Sequence, residues 1–298
     1  MVDVTTPASP SPRSILAGLE ANISLFEPEQ LQERLNVLDV LDVAFGHLDS
    51  DPFSSDKNRS THRRAQAIRT RLEAINAELY RSIRAAIIHG APHTLLPWIQ
   101  TSPSQNDHES LAPGPAYDYR DELLSGILQL HEPRTVDLRP AREMIFYQPT
   151  PVRHIVRFIT ASALSEADIL VDLGSGVGHV PLLASMLTGA RSIGIEVEAA
   201  YVASAQECAQ NLRQSRVRFL HDDARTADLS TGTVFYLYTP FTGSILADVL
   251  DRLRQQSTRQ PIRICTFGPC TGTVAKEVWL RASAPPDPDQ ITVFESRL

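Results

Sequence analysis

The chain has 298 residues, of which 42% are hydrophobic, so it can bury a sizeable core and is not expected to be disordered as a whole. Its 28 Lys and Arg against 35 Asp and Glu give a formal charge of −7, which disfavours general binding to nucleic-acid phosphates. No apolar run is long enough to span a membrane, and the first residues lack the apolar core of a secretory signal.

The first half of the chain is predicted to be mainly helical. Residues 1–13 are rich in Pro, Ser and Thr and are predicted to be disordered, whereas apolar residues recur at helical spacing from Ser14 to about His47. A long helix is predicted over 61–89, and its arginine-rich face indicates a solvated surface or, alternatively, a substrate-docking or anion-binding face. A polar loop over 101–116, a short helix near 118–130 and an extended, proline-containing stretch follow.

After Pro151, and after a helix predicted in VRHIVRFITASAL, strand-like and helix-like segments alternate, which predicts parallel strands with crossover helices. The predicted strands are 167–173, 191–196, 217–222, 233–239 and 262–267, with helices at 180–187, 199–213 and 244–256. Two further strands are predicted in KEVWLRA and ITVFESRL, joined by a PPDPDQ loop. We therefore divide the chain into a tail (1–13), a helical N-terminal region (14–144) and an α/β domain (145–298).

The sequence VDLGSGVG, residues 171–178, places three glycines directly after the first predicted strand. Ligands of open α/β sheets lie beyond the carboxyl ends of the strands, and glycines let the backbone take positive φ angles and approach a ligand closely. The spacing is G-x-G-x-G, whereas the dinucleotide fingerprint G-x-G-x-x-G would require a glycine where His179 stands. A nicotinamide-dependent oxidoreductase is therefore the weaker interpretation.

An acid lies at the end of each of the first three predicted strands. Asp172 would repel a pyrophosphate but suits the ammonium and sulfonium groups of S-adenosylmethionine. Glu196 can accept hydrogen bonds from both ribose hydroxyls, and Asp223, with Asp222 as the alternative, can hold the adenine amino group. The predicted cofactor-binding residues are Asp172, Gly174, Ser175, Gly176, Gly178, Glu196, Asp223 and Ala224.

These segments resemble the class I S-adenosylmethionine-dependent methyltransferases. The resemblance covers about residues 145–298 and includes VDLGSGVG, Glu196, Asp223 and the fourth-strand segment FYLYTPF. It implies an α/β fold with a Rossmann-like, seven-stranded mixed sheet of five parallel strands and a terminal pair with one antiparallel strand. It also implies S-adenosylmethionine as cofactor and in-line methyl transfer, which requires alignment of donor and acceptor and exclusion of water.

The longer run DILVDLGSGVGHVPLLAS is similar to the DOT-type (disruptor of telomeric silencing) lysine methyltransferases. That branch has a loop with tyrosine and threonine before the first strand, which implies Tyr147 and Thr150 at the acceptor side. The chain departs from the branch with Gln148 and Pro149 in place of Gly-Glu, and with YTPF in place of an Asn-Asn-Phe segment. It also lacks a lysine-rich tail, so the resemblance implies protein lysine N-methylation but not histone as the substrate.

The segment YTPF, residues 238–241, matches the Asn-Pro-Pro-Phe or Tyr motif of amino-group methyltransferases only at its proline and phenylalanine. Its tyrosine or threonine would then supply the polar contact to the acceptor nitrogen. A dry aromatic channel would also lower the pKa of a lysine, so that the amine arrives neutral. We predict three acceptor-facing catalytic residues, Tyr147, Tyr238 and Thr239, and three channel residues, Thr150, Pro240 and Phe241.

Two histidines and the cysteines are weaker candidates. His179 is interpreted as a helix cap rather than a contact to the cofactor carboxylate, and His154 as a surface residue rather than a base. Cys270 is given no thiol role. The three cysteines lack the spacing of a metal site and are odd in number, so we predict no metal and a reduced, cytoplasmic protein.

Protein N-methylation is the favoured prediction, and a small-molecule N- or O-methyltransferase is the nearest alternative. Base-flipping methylation of nucleic acid is compatible with YTPF but is disfavoured by the acidic chain. The alternative of another class is a non-catalytic cofactor-binding or scaffold protein that works through its N-terminal helices. The predicted partner is a protein or small-molecule methyl acceptor, with no membrane involved and with nucleic acid disfavoured.

Overall fold

The structure of the protein, a computed structural model, describes residues 11–45, 56–100, 116–130, 133, 143–145 and 147–297. The chain forms two compact units, Met1–Ser82 and Ile83–Leu298. The domain boundary that we predicted after residue 144 falls within the second of these units and remains a prediction. Most of the predicted tail, the polar loop and the extended stretch lies outside the described residues.

The first unit is helical. Helix α1 (Pro12–Ala21) begins within the predicted tail, because the Ser11 hydroxyl caps it by accepting the Ser14 N–H at 3.3 Å. Two short 3₁₀ turns separate it from α2 (Leu31–Phe45), and α3 (Asp56–Ile88) begins earlier than predicted. The core of the unit consists of Leu16, Leu25, Val37, Leu41, Phe45, Ala65 and Leu72.

The arginine face of α3 is largely used within this unit. Arg64 donates two hydrogen bonds of 2.8 and 2.6 Å to Glu20, and Arg69 pairs with Asp42. The guanidinium carbon of Arg71 lies 3.5 Å from the centroid of a phenylalanine ring. These three arginines therefore join helices of the unit to one another, and they support neither a fully solvated face nor an anion-binding one.

A seven-stranded sheet forms the centre of the second unit. Its strand order is β3-β2-β1-β4-β5-β7-β6, with the first five strands parallel and β7 antiparallel to both β5 and β6. The predicted mixed sheet is thus confirmed. The strands are β1 (Ile169–Leu173), β2 (Arg191–Glu196), β3 (Val217–His221), β4 (Val234–Tyr238), β5 (Arg263–Phe267), β6 (Leu280–Ala282) and β7 (Thr292–Ser296).

Helices precede the sheet and connect its strands. They are α4 (Leu96–Ile99), α5 (Tyr119–Leu128), α6 (Val152–Ala161), α7 (His179–Thr188), α8 (Ala199–Asn211), α9 (Gly243–Ser257) and α10 (Cys270–Val274). The sequence did not predict α4 and α10, which are single turns too short for a helical period to show. None of the helices within the described ranges has both the length and the apolar character of a membrane span.

The strand order positions the site. From β1, the chain builds the sheet first toward β2 and β3 and then, on the other side, toward β4 and β5. The carboxyl ends of β1 and β4 therefore flank the point where the order reverses, which is where ligands bind in open α/β sheets. The glycine turn follows β1 and the segment YTPF starts at the end of β4, so both predicted motifs meet at this point.

Candidate active site

A cavity of about 700 Å³ lies at the carboxyl ends of the five parallel strands. Segments that follow β1, β2, β3, β4 and β5 all contribute to its wall. The loop before α6 and the connection between β6 and β7 complete the wall. All the predicted site residues line this cavity except Gly176 and Gly178.

The glycine turn approaches two neighbouring segments closely. A Cβ atom on Gly174, whose φ is +80°, would lie 2.3 Å from the Cβ of Pro240. A Cβ atom on Gly176, whose φ is +52°, would lie 2.0 Å from the ring of Tyr147, which covers this glycine. Gly178 is the N-cap of α7 and packs against a phenylalanine ring, so it shapes the turn without reaching the cavity.

Two buried carboxyl groups lie beside the glycine turn. Glu196 accepts hydrogen bonds of 2.9 Å from the Gly176 and Glu198 N–H groups. Burial raises the pKa of Glu196 in spite of these donors. Asp172 is 3% exposed, and burial together with the Glu196 carboxylate raises its pKa well above the ordinary value. Each acid therefore favours a ligand that brings positive charge or hydroxyl donors.

These residues fit S-adenosylmethionine, the cofactor that the sequence resemblance implies. Its ammonium and sulfonium charges would relieve the buried acids, and its ribose hydroxyls suit Glu196. The glycine turn has no side chains to obstruct close approach, and its Gly174 and Ser175 N–H groups are fixed by bonds of 2.9 and 3.1 Å to the Ile195 carbonyl. Ser175 and Ala224 line the cavity with buried side chains.

The predicted adenine contact is already engaged by another side chain. The Asp223 carboxylate accepts bonds from the Arg225 guanidinium, the shortest of 2.6 Å, and this contact lowers the pKa of Asp223. Asp222 is exposed and lines the cavity beside it. Arg225 would compete with an adenine amino group for Asp223, so the alternative between Asp223 and Asp222 stays a prediction.

The segment at the end of β4 is the one predicted to face the acceptor. Tyr238 is half-buried, stacks on Phe267 at 4.7 Å between ring centroids, and burial raises its pKa to about 12. The Thr239 hydroxyl donates to the Phe267 carbonyl and accepts from the Cys270 N–H, both at 3.1 Å. Backbone groups of the loop therefore engage the Thr239 hydroxyl, although Thr239 lines the cavity, and its contact with the acceptor stays a prediction. Tyr238 is the other polar residue of this segment.

The loop before α6 is anchored by two residues that lie outside the predicted set. The Tyr147 hydroxyl lies 3.2 Å from Nδ1 of His179, and its ring lies 5.1 Å from that of Tyr201. Burial lowers the pKa of His179 to about 4, so its neutral ring can accept this hydrogen bond. No side chain caps α7, so the interpretation of His179 as a helix cap was wrong. Tyr201, in the first half of α8, gave no sequence signal.

The remaining predicted residues divide between channel and core. The Thr150 hydroxyl lies 3.3 Å from that of Tyr236, a buried residue of β4 that also lines the cavity. Pro240 packs on the glycine turn, and Phe241 lines the cavity but belongs mainly to the hydrophobic core. His154 is fully buried, with its ring 4.1 Å from that of Phe267, so its interpretation as a surface residue was wrong.

Residues 144–232 match the model of the family described as histone methylation protein DOT1. The match includes the loop before α6, the glycine turn and the acids at the ends of β2 and β3, but it covers less than half of the chain. No curated protein matches the chain.

Solved structures of several methyltransferases resemble the chain. An RNA methyltransferase from Salinibacter ruber, in complex with S-adenosyl-L-homocysteine, is 27% identical over 50% of this chain and 92% of its own, with a TM-score of 0.40. Precorrin-6y C5,15-methyltransferase from Geobacter metallireducens is 16% identical, covers 53% and 91%, and has a TM-score of 0.38. The human methyltransferase 10 domain containing protein is 15% identical, covers 58% and 91%, and has a TM-score of 0.39.

The TM-scores of these structures lie below 0.5, so the structural likeness does not carry the assignment. The class follows instead from the strand order, the residues of the site and the family match. Together they define a class I S-adenosylmethionine-dependent methyltransferase. Its cofactor motif is of the DOT1 type.

Proposed function

We propose that the protein methylates the nitrogen of a lysine side chain in a protein acceptor. The observation that carries this proposal is the charge of the cavity wall. Among the described residues that line it, the acids are Asp172, Glu196, Glu198, Asp222, Asp223 and Asp289. The cations of the same set are limited to Arg225, which is bound to Asp223. Asp172 favours its protonated form before the cofactor binds, and Arg225 neutralises Asp223. The remaining acids still give the wall a net negative charge, which favours a cationic acceptor over a phosphate-bearing one.

The acceptor side of the cavity supports an amine that arrives charged and reacts neutral. The rings of Tyr147, Tyr236, Tyr238 and Phe267 form an apolar wall that disfavours an ammonium group, so a lysine there would release its proton to water. When bound, the cofactor supplies a methyl group on a sulfonium sulfur. Held by Glu196 and the glycine turn, it would pass this methyl group in line to the uncharged amine and leave as S-adenosylhomocysteine. Tyr147, Tyr238 and Phe267 would orient the amine and exclude water.

The family match gives independent support for a protein acceptor. The description of the matched family names histone methylation, and the match includes the Tyr147–Thr150 loop, which we place at the acceptor side. Because the chain departs from the DOT-type branch at Gln148, Pro149 and YTPF, we do not propose a particular protein as the acceptor. A cytoplasmic location belongs to the proposal as well, since the three buried cysteines are free thiols.

A methyl-transfer assay with radiolabelled S-adenosylmethionine tests the proposal. The acceptors are a basic peptide containing lysine, the same peptide with arginine at each lysine, a small primary amine and an unmodified RNA. We expect label only in the lysine peptide, and loss of that label in the Tyr238→Ala variant.

The other outcomes each contradict the proposal in a defined way. Label in the small amine but not in the peptide favours a small-molecule methyltransferase, and label in RNA favours a nucleic-acid substrate. No label in any acceptor, by a protein that binds S-adenosylhomocysteine, favours a cofactor-binding protein without catalysis.

A further inference from the structure

The connection between β6 and β7 forms part of the active-site wall. Pro288 and Asp289 of this connection line the cavity, although they lie about fifty residues beyond the segment YTPF in the sequence. The sequence of this stretch, PPDPDQ, predicts only a loop between two strands. Its presence at the cavity therefore adds an acidic residue whose role the cofactor motifs leave unexplained.

The backbone of this connection is fixed. The Pro288 carbonyl accepts a hydrogen bond of 2.8 Å from the Gly268 N–H, directly after β5. The Asp289 N–H donates to the Asp287 carboxylate at 2.9 Å, and Arg157 of α6 binds the side chain of Gln290. Asp289 is thus held on an ordered turn while its own carboxylate stays exposed at the cavity wall.

This turn stands at the acceptor end of the cavity. A Cβ atom on Gly268 would lie 3.5 Å from the ring of Tyr238, so the partner of the Pro288 carbonyl also adjoins the acceptor-side tyrosine. Asp222 and Asp223 follow β3, whereas Asp289 is anchored to the segment after β5. Three strands, β2, β1 and β4, lie between β3 and β5 in the sheet. Asp289 is therefore separated from the acids at the adenine end.

We infer that Asp289 is a specificity-determining residue that favours a cationic acceptor at the mouth of the site. The inference rests on the proposed lysine methylation and names the residue that recruits the ammonium group before it enters the aromatic channel. Among the described residues that line the cavity, no lysine faces Asp289, and the lining arginine, Arg225, is committed to Asp223. Arg157 binds the neighbouring Gln290 and does not line the cavity. An exposed carboxylate in this position attracts a cation without having to be desolvated itself.

The test compares Asp289→Asn with Asp251→Asn, which removes the same charge from an exposed position on α9 outside the cavity wall. Binding of a fluorescent oligolysine peptide to the full chain saturated with S-adenosylhomocysteine is measured by anisotropy at low and high salt. We expect Asp289→Asn to weaken peptide binding about two- to fivefold at low salt, with little loss at high salt. The control variant, the affinity for S-adenosylhomocysteine and the binding of a neutral peptide of equal length should stay unchanged.

Equal peptide affinity of Asp289→Asn and the wild type, or an equal loss in Asp251→Asn, would overturn the inference. Because binding is measured without turnover, the result does not depend on the proposed reaction. A parallel turnover assay with the same peptide tests that reaction: absence of methylation would refute lysine as the acceptor while the binding data still decide the role of Asp289. If the peptide is methylated, Asp289→Asn should raise its KM and leave kcat unchanged.

Discussion

Binding of S-adenosylmethionine is expected to release a proton from Asp172. Burial and the Glu196 carboxylate favour the protonated form of Asp172 in the cofactor-free protein. A bound ammonium or sulfonium group favours the carboxylate and lowers this pKa again. In the pH window between the lowered and the raised pKa, the carboxyl group is protonated in the free protein and ionised in the complex, so binding releases up to one proton.

The magnitude follows from linkage. Within this window the affinity should increase with pH by up to about tenfold per unit, since each unit of pKa change corresponds to about 1.4 kcal/mol. Above the raised pKa of Asp172 the affinity should level off, because the carboxylate is then already ionised. Below the lowered pKa it should level off as well, because the group is protonated in both states.

Calorimetric titration in two buffers of different ionisation enthalpy measures the number of protons released. Titration with S-adenosylhomocysteine identifies the cationic partner, because this product keeps the ammonium group but lacks the sulfonium. Equal release with both ligands indicates the ammonium, and release only with S-adenosylmethionine indicates the sulfonium. The reasoning is refuted if no proton is released across the accessible pH range, or if Asp172→Asn releases as many as the wild type.

Three further outcomes are expected. Asp172→Asn should raise the Tm of the cofactor-free protein at neutral pH, by about 2–4 °C for each kcal/mol of stability gained. Below pH ~3.8 the Tm should be unchanged, because the raised pKa of Asp172 in the folded protein destabilises the fold only where this carboxyl group is ionised in the unfolded chain. In equilibrium binding, Gly176→Ala should weaken S-adenosylhomocysteine affinity at least about tenfold by displacing the covering ring, whereas Gly272→Ala, whose added methyl meets nothing within 4 Å, should bind normally. In denaturant unfolding, Arg34→Leu should lower the free energy of unfolding by about 3 kcal/mol, because it leaves buried carbonyl groups without a donor. The control Arg81→Leu, at an exposed ion pair, should lower it by less than ~0.5 kcal/mol. Similar losses in the two variants would contradict this reasoning.

A strand or helix could be predicted from the sequence where its own segment carries a clear pattern of residue types. The five parallel strands are short runs rich in β-branched and aromatic residues, and the structure has all five within two residues of the predicted bounds. The break between α1 and α2 was harder to predict, because apolar residues continue across it, although Pro28 starts one of the two intervening turns. The single-turn helix α10 contains a glycine and β-branched residues, so local propensity gave no reason to expect it.

The two ends of the candidate site differ in predictability for a physical reason. Residues of the cofactor end lie in the last positions of their strands or directly after them, and parallel strands bring their carboxyl ends to one edge of a sheet. At the acceptor end, Tyr201 comes from a helix, Tyr236 from within a strand buried on both faces, and Asp289 from a distant turn. In a strand buried on both faces, side-chain alternation does not show which residue faces the cavity. The hydroxyl of Thr239 was assigned to the acceptor because sequence cannot show that backbone groups already engage it.

The same difference separates residues whose substitution would alter the acceptor preference from residues whose substitution would also alter the stability of the fold. Glu196 binds the N–H group of Gly176, and the Gly174 N–H binds the Ile195 carbonyl, so the acids and glycines of the cofactor end also join β1 to β2. A substitution there alters cofactor affinity and sheet stability together. Asp289 instead contributes an exposed side chain on a turn outside the strands. Acceptor preference can therefore change at Asp289 without disturbing the sheet or the cofactor site, and this is why its charge, rather than that of the buried acids, is the one to exchange when the acceptor is tested.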